Sequence, residues 1–278
     1  MRRGGERGRP AERRRVVQVR TRPTAGAAAA PPRPAERLQK VLARAGFASR
    51  REAEGWIRAG RLTINGTPAA LGSKVSAGDS VRLDGRLVRA RESIDAHVYV
   101  CHRSPGEPLT AGTSAARSAG EPRTGLLERL PRRAGRRFIP VSPMPRVDGG
   151  LELVTSDGGL ALRLQRAAHA LASVFGVRVR GELTASQHQA ILGGELDSGA
   201  QLEVHGCESA GGEGLNRWYT LSARGASGKE VRQLFERQGA LVSRVMRTHF
   251  GPVTLERSLG RGRFRELTQE ELGALLAV

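Results

Sequence analysis

The stretch VSPMPRVDGGLEL, residues 141–153, sets the carboxylate of Asp148 behind an arginine and ahead of two glycines. A carboxylate so placed has two uses. It can act as a nucleophile, or it can shape a turn in Val-Asp-Gly-Gly through its own backbone. Other chemistry is thinly supplied. Cys101 and Cys207 are the only cysteines, with His102 and His205 close by. One Cys-His step and one His-x-Cys do not make the paired spacings that hold zinc. No C-x-x-C or disulfide framework is present, so a reducing cytoplasm is the expected compartment. No P-loop or dinucleotide-binding fingerprint stands in the chain, and no metal or cofactor is expected.

Charge narrows the partner. The 278 residues carry a net charge of +19, almost all of it from arginine. Residues 1–34 hold ten arginines against two glutamates, which leaves +11 for the rest. A basic body as well as a basic tail points to a polyanion, and nucleic acid fits better than an anionic membrane surface. No apolar run approaches the roughly 20 residues of a membrane span, and the charged N-terminus lacks the apolar core of a signal peptide. Residues 1–34 mix Arg, Gly, Pro and Ala without hydrophobic period and are expected to form a disordered basic arm.

Residues 35–94 are organised differently. In AERLQKVLARAG, Leu38, Val41, Leu42 and Ala45 fall on one helical face, and Gly46 is a natural stop. ASRREAEGWIRAGRL opens at Ser49 with Glu52 three residues on, the spacing of a capping box. Ala53, Trp56 and Ile57 supply its buried face, and Gly60 ends it. RLTINGTPA and VSAGDSVRLDGRLV alternate apolar and polar residues around turn signals, as short strands do. The expected order is helix, helix, small sheet. Arg37, Lys40, Arg44, Arg50, Arg51, Arg58 and Arg61 project from the helices and their connections, a one-signed edge suited to the phosphates of folded RNA. The segment RLQKVLARAGFASRREAEGWIRAGRLTINGTPA resembles the S-four RNA-binding domain over about sixty residues. The resemblance implies RNA binding, not catalysis.

Residues 95–270 mix strands (AHVYVCHR, LELVTS, VFGVRVRGEL, QLEVHGCES, RWYTLSAR) with helices (DGGLALRLQRA, TASQHQAILGG, SGKEVRQLFERQG). The alternation is not that of a doubly wound sheet, so an α+β class is expected: a small S-four-type domain, then a larger mixed-sheet domain, with 271–278 as a tail. This second region resembles the catalytic domain of the RsuA-like ribosomal RNA pseudouridine synthases. The resemblance rests on VYVCHRSPGE, with Arg103 in a lysine's place, on FIPVS, LELVTSDGGLALRL and FGVRVRGEL, and above all on GEGLNRWYTLSARGASGKEVRQLFERQGALVSRVMRTHFGPVTL.

The family isomerises uridine to pseudouridine in RNA without a cofactor, on a base extruded into a pocket. It uses an Asp paired with a cation that keeps it ionised and a Tyr against the uracil. The resemblance leaves two registers open. Without a gap, the family's Gly-Arg-Leu-Asp ends on Pro145 and the carboxylate is lost. With a shift of three residues, PRVD takes its place, giving Arg146 and Asp148, with the following loop shortened to Gly149-Gly150. Arg232 in KEVRQ stands at the paired cation. Phe175 stands at the Tyr and keeps a ring without a hydroxyl. Lys229 keeps a basic position, and Arg146 and Lys229 join the expected RNA contacts.

Three functions follow as expectations. The chain is an active pseudouridine synthase using Asp148, a pseudoenzyme of that fold bound to ribosomal RNA or assembling ribosomes, or a general RNA-binding protein driven by the first domain. An Asp148 within salt-bridge reach of Arg232 and lining an open cleft favours the first, and one turned to solvent in a loop favours the second. A monomer is expected.

Overall fold

The protein is described here from a computed structural model covering residues 35–76, 78–88, 97–110, 124–131 and 137–278. The expected basic arm and the expected boundary at residue 94 both lie outside these residues.

The first module opens with a two-residue strand, β1 (Glu36–Arg37), which sequence periodicity does not reveal. Helices α1 (Leu38–Arg44) and α2 (Arg50–Arg58) follow. Ser49 caps α2 as expected: its hydroxyl accepts the Glu52 N–H at 2.9 Å, and the Glu52 carboxylate accepts the Ser49 N–H at 3.2 Å. Strands β2 (Leu62–Ile64), β3 (Thr67–Pro68), β4 (Lys74–Val75), β5 (Val81–Leu83) and β6 (Arg86–Leu87) complete it. Four of them make a sheet ordered β3-β2-β5-β6, and β4 pairs with β1. Leu38, Leu42, Ala53, Ile57 and Leu62 form the core, with Trp56 half-buried at its edge.

The larger domain is built on one nine-stranded sheet. Its strands are β7 (Val98–Arg103), β8 (Ile139–Pro140), β9 (Gly149–Thr155), β10 (Ala172–Arg180), β11 (Glu203–Glu213), β12 (Asn216–Arg224), β13 (Leu241–Phe250), β14 (Val253–Thr254) and β15 (Phe264–Glu266). The main path runs β11-β12-β10-β13-β9-β7-β15. Its neighbours are antiparallel except β9 and β13, which run parallel and touch through only Met246↔Gly149 and Arg247↔Gly150. The helices are α3 (Gly158–Ala167), α4 (Ala185–Gly193), α5 (Gly228–Arg237) and α6 (Gln269–Leu276). Strand β10 alternates buried Phe175, Val177 and Val179 with half-exposed Val174, Gly176 and Arg178. The buried set meets Val231, Leu234 and Phe235 of α5. The expected tail at 271–278 is mostly helix α6, whose Leu275 is buried in the core with Val98, Leu153 and Phe250.

Candidate active site

Asp148 sits immediately before the two-residue contact of β9 with β13. The segment before it forms a tight turn, closed by the Asp148 N–H donating to the Pro145 carbonyl at 3.1 Å. Asp148 therefore ends a turn instead of opening the Val-Asp-Gly-Gly turn that its neighbours suggest. The two glycines serve another purpose. A Cβ on Gly149 would come within 2.5 Å of the Arg103 carbonyl oxygen, and one on Gly150, at φ +95°, would collide with the Arg247 backbone. Only bare backbone lets the chain squeeze between β7 and β13 here. That approach carries Asp148 inward.

Once there, Asp148 has no exposed surface. Arg232 donates to both of its oxygens, from Nη2 to Oδ1 at 2.5 Å and from Nε to Oδ2 at 3.1 Å. The backbone N–H of Val245 donates to Oδ1 at 2.8 Å. A forked guanidinium on a carboxylate is among the strongest polar contacts available to a protein. The arrangement supplies three donors to the ionised form. The Asp148 hydrogen bond in turn raises the Arg232 pKa above the ordinary arginine value.

Helix α5 aims Arg232. Ser227 caps it, accepting from the Glu230 N–H, while the Glu230 carboxylate accepts the Ser227 N–H at 2.8 Å. Val231, Leu234 and Phe235 face the core, which leaves Arg232 on the flank toward β13. Its Nη1 is held by the Glu236 carboxylate at 3.1 Å and the Val242 carbonyl at 3.0 Å. Gly228 opens the helix against Met144, where a Cβ would overlap the thioether. The turn carrying Asp148 and the helix carrying Arg232 are thus packed directly on each other.

Beneath the turn lies a charged cluster that residue types alone do not disclose. Arg103, Glu152 and Arg247 are all buried. Arg103 donates to the carbonyls of Met144 at 2.7 Å and Asp148 at 3.2 Å, and also to that of Pro145. Arg247 donates to the carbonyls of Ser142 at 2.7 Å and Leu151 at 2.8 Å. Glu152 accepts the Met144 N–H at 2.9 Å and pairs with Arg103 at 3.3 Å and Arg247 at 3.4 Å. Burial pushes the Glu152 carboxyl up and the Arg247 guanidinium down from their ordinary values, and the two guanidiniums oppose the first shift. Five backbone groups of residues 142–148 are tied to this triad: the carbonyls of Ser142, Met144, Pro145 and Asp148 and the N–H of Met144. A strict strand alternation would have put Glu152 on a solvated face. The available signal was a lone acid in the apolar run Leu-Glu-Leu-Val.

The other expected site residues divide. Phe175 lies in the core of the domain with no exposed surface, so its ring packs against the sheet's helices and is not available to a base. Arg146 is exposed on the turn, with its carbonyl bonded to the Gly106 N–H at 2.7 Å, and Lys229 is exposed in the first turn of α5. A depression of about 480 Å³ at Gly106 is lined also by Ser104, Glu107, Arg129 and Arg261. On the first module, Arg37, Arg50, Arg51 and Arg58 are exposed. Lys40 and Arg44 both pair with Glu36, at 2.9 and 2.5 Å, and Arg61 forks onto Asp84 and lies 5.5 Å over Trp56. The one-signed edge is therefore narrower than the arginine count suggests. Cys101 and Cys207 are buried free thiols whose pKa values burial raises, that of Cys207 to about 11. Among the described residues no cluster of three metal-ligating side chains occurs, and no helix is long and apolar enough to cross a membrane.

Known proteins agree with this architecture. The S4 domain family matches residues 36–81. The ribosomal large subunit pseudouridine synthase B of Pseudomonas aeruginosa is 39% identical over 243 residues, which is 86% of this chain and 61% of the relative. The chain thus spans less than two thirds of that relative's length. The proteins of the same name from Salmonella typhi and Escherichia coli (strain K12) are 37% identical over 241 residues, covering 84% of this chain and 79% of theirs. A crystal structure of a pseudouridylate synthase shares the fold, with a TM-score of 0.54 at 20% identity over 86% of this chain and 99% of that one. With an S-four module at the front, a mixed sheet behind and these relatives along most of its length, the chain belongs to the RsuA-like family of pseudouridine synthases.

Proposed function

We propose that the protein isomerises a uridine of ribosomal RNA to pseudouridine, with Asp148 as the reacting carboxylate and Arg232 as its paired cation. The reading is supported above all by the forked contact of Arg232 on Asp148, at 2.5 and 3.1 Å. The three-residue shift of the motif thus puts a carboxylate on the cation that the family pairs with one. The relatives' names supply the substrate class. In the reaction the C1′–N1 bond of uridine breaks, C1′ bonds to C5, and the C5 proton is replaced by one on N1. Nothing is consumed, so no cofactor is required. Asp148 serves C1′ or the detached ring, and Arg232 together with the Val245 N–H fixes the position of its oxygens. The exposed arginines of the first module hold the RNA by its phosphates, with Arg146 and Lys229 beside the turn.

A second reading, a family member that binds ribosomal RNA without modifying it, is favoured by a specific observation. The carboxylate is wholly covered, and Phe175 offers neither a hydroxyl nor an accessible ring. Activity requires the 144–147 turn or Arg232 to move aside. Val147 on that turn is 60% exposed, and Arg232 keeps two other acceptors, Glu236 and Val242, to retreat to. A pseudouridine map of ribosomal RNA from cells with and without the gene separates the two readings. Loss of one site on deletion supports the enzyme. An unchanged map, with the protein still on ribosomal particles, supports the binder.

A further inference from the structure

Strands β12, β10 and β13 bury one face against α4 and α5, and the opposite face carries a different set of residues. Register places Trp218, Arg178 and Arg244 side by side across the three strands. The next row holds Thr220, Gly176 and Met246. Thr220 is exposed and the others are half-exposed, and none of the six belongs to a hydrophobic core cluster among the described residues. Gly176 leaves the centre of the patch without a side chain. A Cβ there would lie 3.5 Å from the Trp218 ring, so the ring leans over the glycine. The Arg178 guanidinium sits 5.9 Å from the centre of that ring and is steadied by a 2.8 Å hydrogen bond to the Ser243 hydroxyl.

Three features identify the occupant. The patch is cationic, since neither Arg178 nor Arg244 makes an ion pair among the described residues, and Glu208, opposite Thr220 on β11, is the acid at its rim. It offers an aromatic ring flanked by a guanidinium, the pair of surfaces on which unstacked bases rest. It also adjoins the candidate site: Arg244 directly precedes Val245, whose N–H is bound to Asp148. Two strand spacings, about 10 Å, separate the strand of Trp218 from that of Arg244. Extruding a base leaves its neighbours without a stacking partner on one side.

We infer that this sheet face is a stacking platform for an unpaired nucleotide flanking the target uridine, with Trp218 taking the base and Arg178 and Arg244 the adjoining phosphates. The inference rests on the proposed action on RNA and adds where the flanking strand runs. The chain has two tryptophans, Trp56 and Trp218, so a full-length Trp56→Phe protein reports on Trp218 alone.

The probe is a single-stranded 12-nucleotide RNA, followed by tryptophan fluorescence and, separately, by anisotropy of an end label. The expected result is saturable quenching of Trp218. Trp218→Ala should weaken binding roughly tenfold, within the range of one lost base–aromatic stack, while Trp218→Phe keeps most of the affinity. Unquenched Trp218, with anisotropy showing RNA binding unchanged in Trp218→Ala, overturns the platform and leaves the RNA reading intact. If Trp218→Ala instead loses a ribosomal protein from pull-downs while RNA affinity is unchanged, the face belongs to a protein and the inference also fails. Failure of the RNA reading itself is seen separately, as wild-type protein that binds no RNA and an unchanged pseudouridine map.

Discussion

The two halves of this molecule use arginine in opposite ways. In the first module Arg50, Arg51 and Arg58 stand in solvent on helix α2. In the second domain Arg103 and Arg247 are sealed around Glu152, and Arg232 is clamped on Asp148. A solvated guanidinium costs little to carry and adapts to the phosphates it meets. A buried one must have its hydrogen bonds satisfied or it destabilises the fold. The second kind sets geometry, here the path of one turn and the position of one carboxylate, and in the proposed function the first kind supplies affinity.

That contrast can be broken most forcefully at Glu152. Glu152→Gln leaves Arg103 and Arg247 buried without their carboxylate, and unfolding by denaturant should show a loss of about 3–5 kcal/mol. A loss under 1 kcal/mol would mean that the triad is not what holds the turn. At Ser49, which caps α2, replacement by Ala should cost about 1 kcal/mol, measured the same way, and should weaken RNA binding only through helix α2. Replacing Arg50 and Arg51 with Ala should leave stability within about 0.5 kcal/mol. The same pair should lower the slope of log affinity against log salt by about 0.9 for each phosphate contact removed. An unchanged slope would take this helix out of the interface.

Another small effect is expected in acid. Arg265 holds the Glu271 carboxyl down at about 2, mainly by hydrogen bonding to it at 2.7 and 2.9 Å. A depressed folded pKa means that the stabilisation is complete above the ordinary carboxylate range and fades as pH falls toward about 2. The pair is half-buried and open to solvent on one side, so screening holds its contribution to about 1 kcal/mol. Arg265→Ala should flatten that part of the stability–pH curve, and an unaltered curve would remove the pair from the anchoring of α6.

Legibility in the sequence follows the same division. Helix α2 announced itself through Ser49, Glu52 and its apolar face, because capping and amphipathicity are local. Helix α5 did so too, and with it Arg232. The link between Asp148 and Arg232 was legible only as one of two registers, since Pro145 and Asp148 compete for the same motif and no local pattern chooses between them. The glycines at 149 and 150 looked like turn formers, yet their role is a close approach to Arg103 and Arg247, residues far away in the chain. Nothing local marks Glu152 or Arg247 on their strands, because burial of a charge depends on partners that no local pattern contains. Phe175 followed its strand's alternation into the core, and that alternation was a better guide than its place in the motif.

The shifted motif is proposed to put a working carboxylate, Asp148, on Arg232. This is tested most directly by returning Asp148→Asn to cells that lack the gene and reading the pseudouridine map beside a wild-type rescue. The account predicts that wild type restores the site and the Asn variant does not, with a loss of at least about 100-fold in modification rate, while the variant still binds ribosomal RNA. Full restoration by Asp148→Asn would contradict it, and the reacting carboxylate would have to be sought elsewhere in the domain.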